Sequence, residues 1–223
     1  MKDTYFFFVT GTSTGVGKTV VSFLLCKFFL ERGMKTIYFK PVQTGAIKDT
    51  DENFIKRKLK KFNLFFSKTE FLFKRPVSPH FAARLENKRV SLKTIKKRLK
   101  EIKKEFDVII VEGAGGVAVP VNQKGDLLVD IFSNLKPITV IAGKGGLGAL
   151  NHFIITESFC RKKRLNVKYF ILISSKEKPS FIEIDNKKTL KRLYPYIKVV
   201  LIPRMKNFNK LFKIFKKEIG DIK

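Results

Sequence analysis

Small residues and one lysine are concentrated in the segment GTSTGVGKT, Gly11 to Thr19, directly after the apolar run YFFFV. Gly15 and Gly17 can turn backbone N–H groups around an anion, because glycine has no Cβ in the way. Lys18 would bring a full positive charge to phosphate groups, and the Thr19 hydroxyl could bind Mg²⁺. With the positive end of the helix that follows, these residues predict a loop that holds a nucleoside triphosphate.

The loop departs from the usual phosphate-loop pattern at its first glycine. G-x-x-x-x-G-K-[ST] would place that glycine at position 12, where this chain has Thr12, and Gly11 stands one residue earlier. The segment is therefore a variant of the P-loop, and the variant reduces the number of P-loop protein families to which the chain could belong.

Two acidic residues are candidates for binding the Mg²⁺ that accompanies a triphosphate. Glu112 ends the apolar segment DVIIVE and is followed by glycines, an arrangement that packing alone does not explain. Asp51 is the second candidate, and its alternative role is that of an ordinary helix N-cap. We expect Glu112 to bind metal, and we leave both roles open for Asp51 at this point.

The segment KPVQTG supplies a second cation at the end of an apolar strand. Lys40 could neutralise an oxyanion there, although it is also one of many lysines and could simply be solvated. Thr44 offers a hydroxyl donor nearby. His80 and His152 fit helix ends or packing better than acid–base roles, and GKGGLG, 143–148, fits a turn between a strand and a helix.

Short apolar runs alternate with helix-like stretches along the whole chain. Runs that are apolar throughout predict strands buried on both faces, hence a doubly wound α/β fold whose mostly parallel sheet has helices on both faces. In such a sheet the glycine segments that follow strands gather at one edge, where ligands bind. The predicted strands are TYFFFV, KTIYFKPV (stopped by Pro41), DVIIVEGAGG, PITVIAG, VKYFILIS and IKVVLIP, and the predicted helices are 20–33, 49–64, 91–106, 147–164 and 205–219.

Composition restricts the remaining possibilities. The 223 residues are 44% hydrophobic and contain two cysteines, which predicts a single domain over 1–223 with Cys26 and Cys160 in the core. The net charge of +28 comes from basic runs scattered along the chain, without an aromatic nucleic-acid motif. We expect no nucleic-acid or membrane partner, and a cytoplasmic location, because no signal segment is recognisable.

Five motifs occur together in an order and spacing that narrow the reading further. GTSTGVGKT, KPVQTG, SPH, VEGAGG and LGALNH resemble those of the dethiobiotin synthetases, from residue 5 to about residue 160 and more loosely beyond. The resemblance implies a P-loop NTPase-like homodimer that acts in biotin biosynthesis. That family closes the cyclic urea of dethiobiotin from 7,8-diaminononanoate, CO₂, ATP and Mg²⁺, through a carbamate and a carbamic–phosphoric mixed anhydride.

The resemblance also implies a role for each matching residue. Lys40 and Lys18 would be catalytic, and Thr44 and Asn151 would bind substrate, Asn151 across the dimer interface. Thr19, Asp51 and Glu112 would be the Mg²⁺ ligands. The residues that would bind the nucleotide are Gly15, Val16, Gly17, Lys18, Thr19, Val20, Asp51, Glu112, Gly113, Ala114, Gly115, Pro203, Arg204 and Met205.

One position departs from the family pattern. Members often end the strand before the base with an asparagine that reads adenine, whereas YFILISS places Ile173 and Ser174 there. The adenine edge would lose an amide partner, so we expect weaker discrimination between ATP and other triphosphates.

A second class of protein shares the expected fold. Partner-activated ATPases of the partitioning and septum-site type carry an extra lysine in the phosphate loop, and Ser13 stands at that position here. The segment KPVQTG also has no role in such a protein. We therefore keep this class as the alternative to an ATP-dependent ligase.

Overall fold

The computed structural model describes residues 4–46 and 49–222, which fold around one seven-stranded sheet. All six strand pairings are parallel, and the strand order is β3-β2-β4-β1-β5-β6-β7. The strands are β1 Tyr5–Gly11, β2 Thr36–Gln43, β3 Phe65–Leu72, β4 Val108–Glu112, β5 Ile138–Lys144, β6 Asn166–Ile173 and β7 Lys198–Ile202. The expected doubly wound parallel sheet is confirmed.

Seven helices cover the two faces of this sheet within the described residues. They are α1 Lys18–Leu30, α2 Asp51–Leu59, α3 Pro79–Leu85, α4 Leu92–Glu105, α5 Ala149–Lys162, α6 Phe181–Leu193 and α7 Phe208–Ile219, with a short 3₁₀ helix at Leu128–Ile131. Helices α1, α2 and α7 pack on one face, and α3 to α6 pack on the other. In residues 4–46 and 49–222, no helix is both long enough and apolar enough to cross a bilayer.

Alternation along the strands divides the core between the two faces. In β1, Phe6 and Phe8 face the cluster with α3 to α6, while Phe7 and Val9 face α1 and α7. Such strands read as continuous apolar runs, because both of their faces are buried. Cys26 and Cys160 are both buried and unpaired, as expected of core residues.

Strand β3 was not anticipated from the sequence. A helix over 49–64 was expected, but α2 ends at Leu59 and the chain continues into β3 at the edge of the sheet. An edge strand is partly exposed, so β3 carries polar residues such as Lys68 and Glu70 and lacks an apolar run. Its sequence therefore resembles a loop.

Strand β2 continues past Pro41, which was expected to stop it. Pairing with β4 ends at Phe39, whereas pairing with β3 continues to Gln43. Because no β4 residue lies opposite Pro41, its missing N–H breaks no hydrogen bond on that side. The extension places Lys40 at the carboxyl edge of the sheet, beside the end of β4.

Helix boundaries differ from expectation by up to three residues at most other ends. Helix α4 lies within the predicted 91–106, and the Ser91 side chain accepts a hydrogen bond from the backbone N–H of Thr94. Helix α7 begins at Phe208 rather than 205, with Asn207 as its N-cap. These shifts leave the loops at the carboxyl edge of the sheet where they were predicted.

Candidate active site

The glycine loop connects β1 to α1 at the position where β1 separates β4 from β5. Gly15 and Gly17 have φ angles of +69° and +92°, a backbone region that L side chains rarely adopt. A Cβ on Gly17 would also lie 2.3 Å from Cδ1 of Ile173. Glycine is therefore required at Gly17 by both conformation and space, and the N-terminus of α1 stays open toward the loop.

Lys18 lies over the loop that it follows. Its side chain is buried, and Nζ donates a hydrogen bond to the carbonyl oxygen of Ser13 at 2.9 Å. Burial, together with the charge of Lys40, lowers the pKa of Lys18 to about 8. Lys18 therefore brings a positive charge to the glycine loop itself, where a phosphate group would neutralise it.

The ammonium group of Lys40 lies between the two predicted acidic ligands. Its Nζ is 2.7 Å from Oδ2 of Asp51 and 2.7 Å from Oε1 of Glu112, and it donates to the carbonyl oxygen of Gly113 at 3.2 Å. Lys40 is 3% exposed and Glu112 is 1% exposed, so this is an internal ion pair. Lys40 is therefore not the solvated lysine of the alternative reading.

Charge compensation fixes the ionised forms of these groups. Burial would lower the pKa of Lys40, but the charges of Glu112 and Asp51 raise it above its ordinary value. Burial would raise the pKa of Asp51, but the charge and hydrogen bond of Lys40 lower it. Both groups are charged at neutral pH, and each depends on the other for that charge.

Glu112 receives hydrogen bonds on both of its carboxylate oxygens. Thr19 Oγ1 donates to Oε1 at 3.0 Å, the same oxygen that Lys40 contacts, and Tyr38 Oη donates to Oε2 at 2.9 Å. Burial and the nearby charge of Glu112 raise the pKa of Tyr38, so its hydroxyl keeps its proton. The carboxylate therefore has a fixed orientation at the end of β4.

Thr19, Asp51 and Glu112, the predicted metal ligands, converge on one place. The ammonium group of Lys40 is held between the two carboxylates, which shows that the place attracts a cation. One hydroxyl and two carboxylates are hard oxygen donors of the kind Mg²⁺ accepts, while phosphates and waters supply its other ligands. Among the described residues, no group of three or more His, Cys, Asp or Glu side chains is placed to hold a metal ion.

A cavity of about 230 Å³ joins the phosphate loop to Lys40. Thr44 lines the cavity, as do Val42 and Gln43 from the same end of β2. The remaining lining residues are Thr14, Gly15, Gly17, Lys18, Thr19, Lys40, Asp51, Glu112, Ala114 and Gly115. The structure thus brings most of the sequence-predicted site residues to a single opening.

Other predicted nucleotide residues support the loop without lining the cavity. Val16 is buried beneath it, and a Cβ on Gly11 would come within 2.8 Å of the Val16 side chain. Val20 is half-buried in the core cluster of α1. Gly113 presents its carbonyl oxygen to Lys40.

Pro203, Arg204 and Met205 follow β7 and lie outside the cavity lining. The backbone N–H of Arg204 donates to the carbonyl oxygen of Lys176 at 3.0 Å, which connects this segment to the loop after β6. Met205 and Ile173 pack against the same core cluster. The segment therefore lies at the carboxyl edge of the sheet, next to the loop that follows β6.

The end of β6 offers its polar groups to its own chain. Ser174 is 2% exposed, and its hydroxyl donates to Glu183 Oε2 at 2.8 Å. The backbone N–H of Ser175 donates to the other oxygen of Glu183. Ile173 contributes an apolar side chain against Gly17, so this strand end presents no side-chain amide.

Asn151 lies on α5 with its side chain exposed, away from the cavity of its own chain. The segment 143–148 is the expected turn from β5 into α5, with Gly148 at a φ angle of +84°. His152 is exposed nearby. His80 stands in the first turn of α3, where its Nδ1 atom is buried without a hydrogen-bond partner.

Two residues of β2 were missed by sequence reasoning. Tyr38 bonds Glu112, and Gln43 Oε1 accepts a hydrogen bond from the backbone N–H of Asp51 at 3.3 Å, which anchors the start of α2. The available signal for Tyr38 was weak, because tyrosine also occurs in β1 and β6, at Tyr5 and Tyr169. A larger cavity, of about 530 Å³, lies between α3 and the segment 122–124, but no predicted site residue lines it.

A parallel sheet with a glycine loop between its first strand and first helix, and an acid at the end of a neighbouring strand, defines the P-loop NTPase class. The family profile described as an AAA domain matches residues 6–211. An ATP-dependent dethiobiotin synthetase, BioD of Methanococcus vannielii, is 40% identical over 160 residues, which are 72% of this chain and 74% of that protein. The chain belongs to the dethiobiotin synthetase family.

Further relatives cover nearly the whole chain. BioD of Methanococcus aeolicus is 35% identical over 96% of this chain and 99% of its own length, and BioD of Clostridium perfringens is 32% identical over 91% and 92%. A putative plasmid partition protein from Borrelia burgdorferi, solved with AMPPNP, matches with a TM-score of 0.61 over 98% of this chain and 97% of its own. At 13% identity, that match shows a shared fold only.

Proposed function

We propose that this chain closes the cyclic urea of dethiobiotin from 7,8-diaminononanoate and CO₂, with ATP as the phosphoryl donor and Mg²⁺ as the metal. The observation that carries the proposal is the shared cavity, in which the phosphate loop, Lys40 and Thr44 face one opening. A nucleotide held by the loop and a substrate beside Thr44 would therefore meet at Lys40. The names of the family members point to the same reaction.

The reaction would proceed in three balanced steps. One substrate amine bonds to the carbon of CO₂ and loses a proton, which gives a carbamate. A carbamate oxygen attacks the γ-phosphorus of ATP, and the bond from that phosphorus to ADP breaks. The second amine attacks the carbonyl carbon of the mixed anhydride, loses a proton, and phosphate leaves as the ring closes.

The protein would contribute position and charge to these steps. Phosphoryl transfer concentrates negative charge on oxygens, and preorganised cations stabilise that charge. Lys18, at the loop, would face the β- and γ-phosphates, and Lys40 would face the oxygens between carbamate and phosphate. Both side chains are already buried at this edge, so little reorganisation of water opposes them.

Thr19, Asp51 and Glu112 would hold the magnesium ion, which supplies further positive charge to the triphosphate. The hydrogen bond from Thr19 to Glu112 keeps two of these ligands together. Before the metal binds, Lys40 holds the third ligand, Asp51, at the same place.

The proposal extends to the location and assembly of the protein: a cytoplasmic homodimer in which each chain is a single domain. Asn151 is exposed and lies outside the cavity of its own chain, so it would reach substrate from the partner of the dimer. Leu147, at 93% exposure, and Ile155, at 60%, are apolar neighbours of Asn151 that a partner would cover. The partition-type ATPase is disfavoured, because Ser13 replaces the lysine that such a protein needs.

One assay tests the function. The purified protein is incubated with 7,8-diaminononanoate, ¹³C-bicarbonate and MgATP, and the products are analysed by mass spectrometry together with released phosphate. We expect ¹³C-labelled dethiobiotin and one phosphate per ring. ATP hydrolysis that does not depend on the diamine, with no cyclic urea formed, would refute the proposal.

A further inference from the structure

Tyr38 brings a hydroxyl group to the buried side of the acidic pair. It is 0% exposed, and it donates to Glu112 Oε2 from β2, the strand that neighbours β4. Lys40 follows two residues later and contacts the other oxygen of the same carboxylate. Because alternate residues of a strand share a face, β2 directs two hydrogen-bond donors at one carboxylate.

Packing alone does not account for this tyrosine. Its surroundings are the apolar cluster formed with α1, and the chain uses 23 phenylalanines against 5 tyrosines. Phenylalanine would fill the same space without burying a polar atom, and a buried hydroxyl is costly unless it is hydrogen-bonded. The bond to Glu112 is therefore what tyrosine adds at this position.

The hydroxyl decides which oxygen of Glu112 faces the site. The terminal torsion of a glutamate side chain is broad and nearly two-fold, so the carboxylate does not orient itself. With Oε2 bonded to Tyr38 on the buried side, Oε1 is the oxygen that Thr19 and Lys40 contact. If that bond were lost, a charged oxygen would be buried without a partner, which favours rotation of the carboxylate away from the site.

We propose that Tyr38 is a positioning residue, which holds Oε2 of Glu112 so that Oε1 alone is presented to Lys40 and, in exchange, to the divalent metal. This inference rests on the metal site of the proposed function. Lys40 and the metal then share one oxygen in turn, and Lys40 is released toward the cavity when the metal takes its place. Tyr38 acts through Glu112 and touches neither nucleotide nor substrate.

The test is the affinity of Tyr38→Phe for Mn²⁺ in the presence of saturating ADP, measured by titration calorimetry and by the electron paramagnetic resonance of free Mn²⁺. Neighbours that orient metal ligands typically contribute about 10–100-fold to metal affinity. We expect Mn²⁺ to bind at least about tenfold more weakly, while the affinity for ADP without metal stays within about twofold. The Mg²⁺ concentration needed for half-maximal turnover should rise more than the maximal turnover falls.

Tyr169→Phe is the matched control, because Tyr169 is another buried tyrosine of the same sheet, on β6. It should leave Mn²⁺ affinity unchanged. Glu112→Gln calibrates the full loss, and its Mn²⁺ affinity should fall further than that of Tyr38→Phe. Thermal melts without metal verify that each variant is folded.

The outcomes separate the two proposals. Unchanged Mn²⁺ affinity in folded Tyr38→Phe, or an equal loss in Tyr169→Phe, overturns the role of Tyr38 even if the wild type makes dethiobiotin. Conversely, a selective loss of Mn²⁺ affinity in Tyr38→Phe supports that role even if the wild type makes no dethiobiotin, a result that would refute only the proposed reaction.

Discussion

Replacement of Lys40 by methionine tests the central ion pair most directly. The ammonium group lies 2.7 Å from one oxygen of Asp51 and 2.7 Å from one oxygen of Glu112, so those oxygens are no more than twice that distance apart. Lys40→Met keeps most of the aliphatic stem and removes the charge between two carboxylates. The variant therefore leaves two negative charges facing each other, one of them fully buried.

The expected loss of stability can be worked from burial. Removal of one partner of a buried ion pair costs about 3–5 kcal/mol. The Asp51 side chain remains 30% exposed and is partly screened by water, so we expect the lower end, about 3 kcal/mol. For a chain of this size that corresponds to a melting temperature lower by about 6–12 °C without metal.

Metal should reverse much of this loss. A divalent cation would compensate the two carboxylates in place of the missing ammonium group, so Mg²⁺ with ADP should raise the melting temperature of Lys40→Met more than that of the wild type. Turnover should fall about a hundredfold or more, because a charge at the transferring oxygens is lost. ADP affinity should stay close to that of the wild type.

Circular dichroism measures the melting temperature with and without Mg²⁺ and ADP. Calorimetry measures ADP affinity, and a turnover assay completes the comparison. Lys27→Met is the matched control: Lys27 is also buried, but it pairs with the half-exposed Glu31 far from the site. Its loss should be small and independent of Mg²⁺. The reasoning is refuted if the melting temperature of metal-free Lys40→Met equals that of the wild type. If ADP affinity and turnover fall by the same factor, Lys40 contributes to binding and not to catalysis.

Three further predictions follow from particular residues. Gly17→Ala should weaken ADP binding by about tenfold or more, because the φ angle of Gly17 is +92° and the new Cβ would meet Ile173. The control, Gly33→Ala, has a φ angle of +72° and open space around the Cβ, so it should lose only about 1 kcal/mol of stability and keep its ADP affinity. Comparable losses of ADP affinity in the two variants would contradict this prediction. Burial opposes ionisation of Glu183, but backbone N–H groups of Ser180 and Ser175 outweigh it and hold its pKa at about 2. The ionised side chain therefore contributes stability above its ordinary pKa of 4.5, and this contribution disappears as pH falls from 4.5 toward 2. Glu183→Gln should accordingly lower the unfolding free energy by about 2 kcal/mol at pH 7, and by progressively less as pH falls from 4.5 toward 2. Urea titrations at several pH values measure this difference between the variant and the wild type. A difference that does not change with pH would refute the prediction. Initial rates with ATP and GTP should differ only modestly, because the end of β6 presents Ile173 and a Ser174 already bonded to Glu183; a strong preference for ATP would refute this.

Local patterns were enough to predict most of the architecture. Strands buried on both faces are apolar throughout, so six of the seven strands could be recognised without knowledge of their neighbours. The edge strand β3 escaped, because partial exposure lets polar residues alternate with apolar ones. The prediction that Pro41 stops β2 was wrong for a related reason. A strand tolerates proline where a neighbouring strand no longer pairs with it, and this depends on where the pairing of β4 with β2 ends.

The candidate site was predictable where its chemistry lies within one segment. The spacing of Gly15, Gly17 and Lys18 announces a phosphate loop, because backbone conformation and a helix N-terminus act over a few residues. Lys40 and Glu112 could be named from their positions at strand ends. Their direct contact could not be derived, because 72 residues separate them along the chain.

The sequence by itself determined the glycine loop, the alternation of buried strands with helices and the identity of the charged residues, all of which are properties of short stretches of chain. Only the tertiary structure decided that one ammonium group lies between Asp51 and Glu112, and that Tyr38 holds the remaining carboxylate oxygen. The physical reason is the strand order, because β4 returns to lie between β2 and β1. Residues from distant segments thus share one buried place, where hydrogen bonds and charges depend on distance in space and not on separation in sequence.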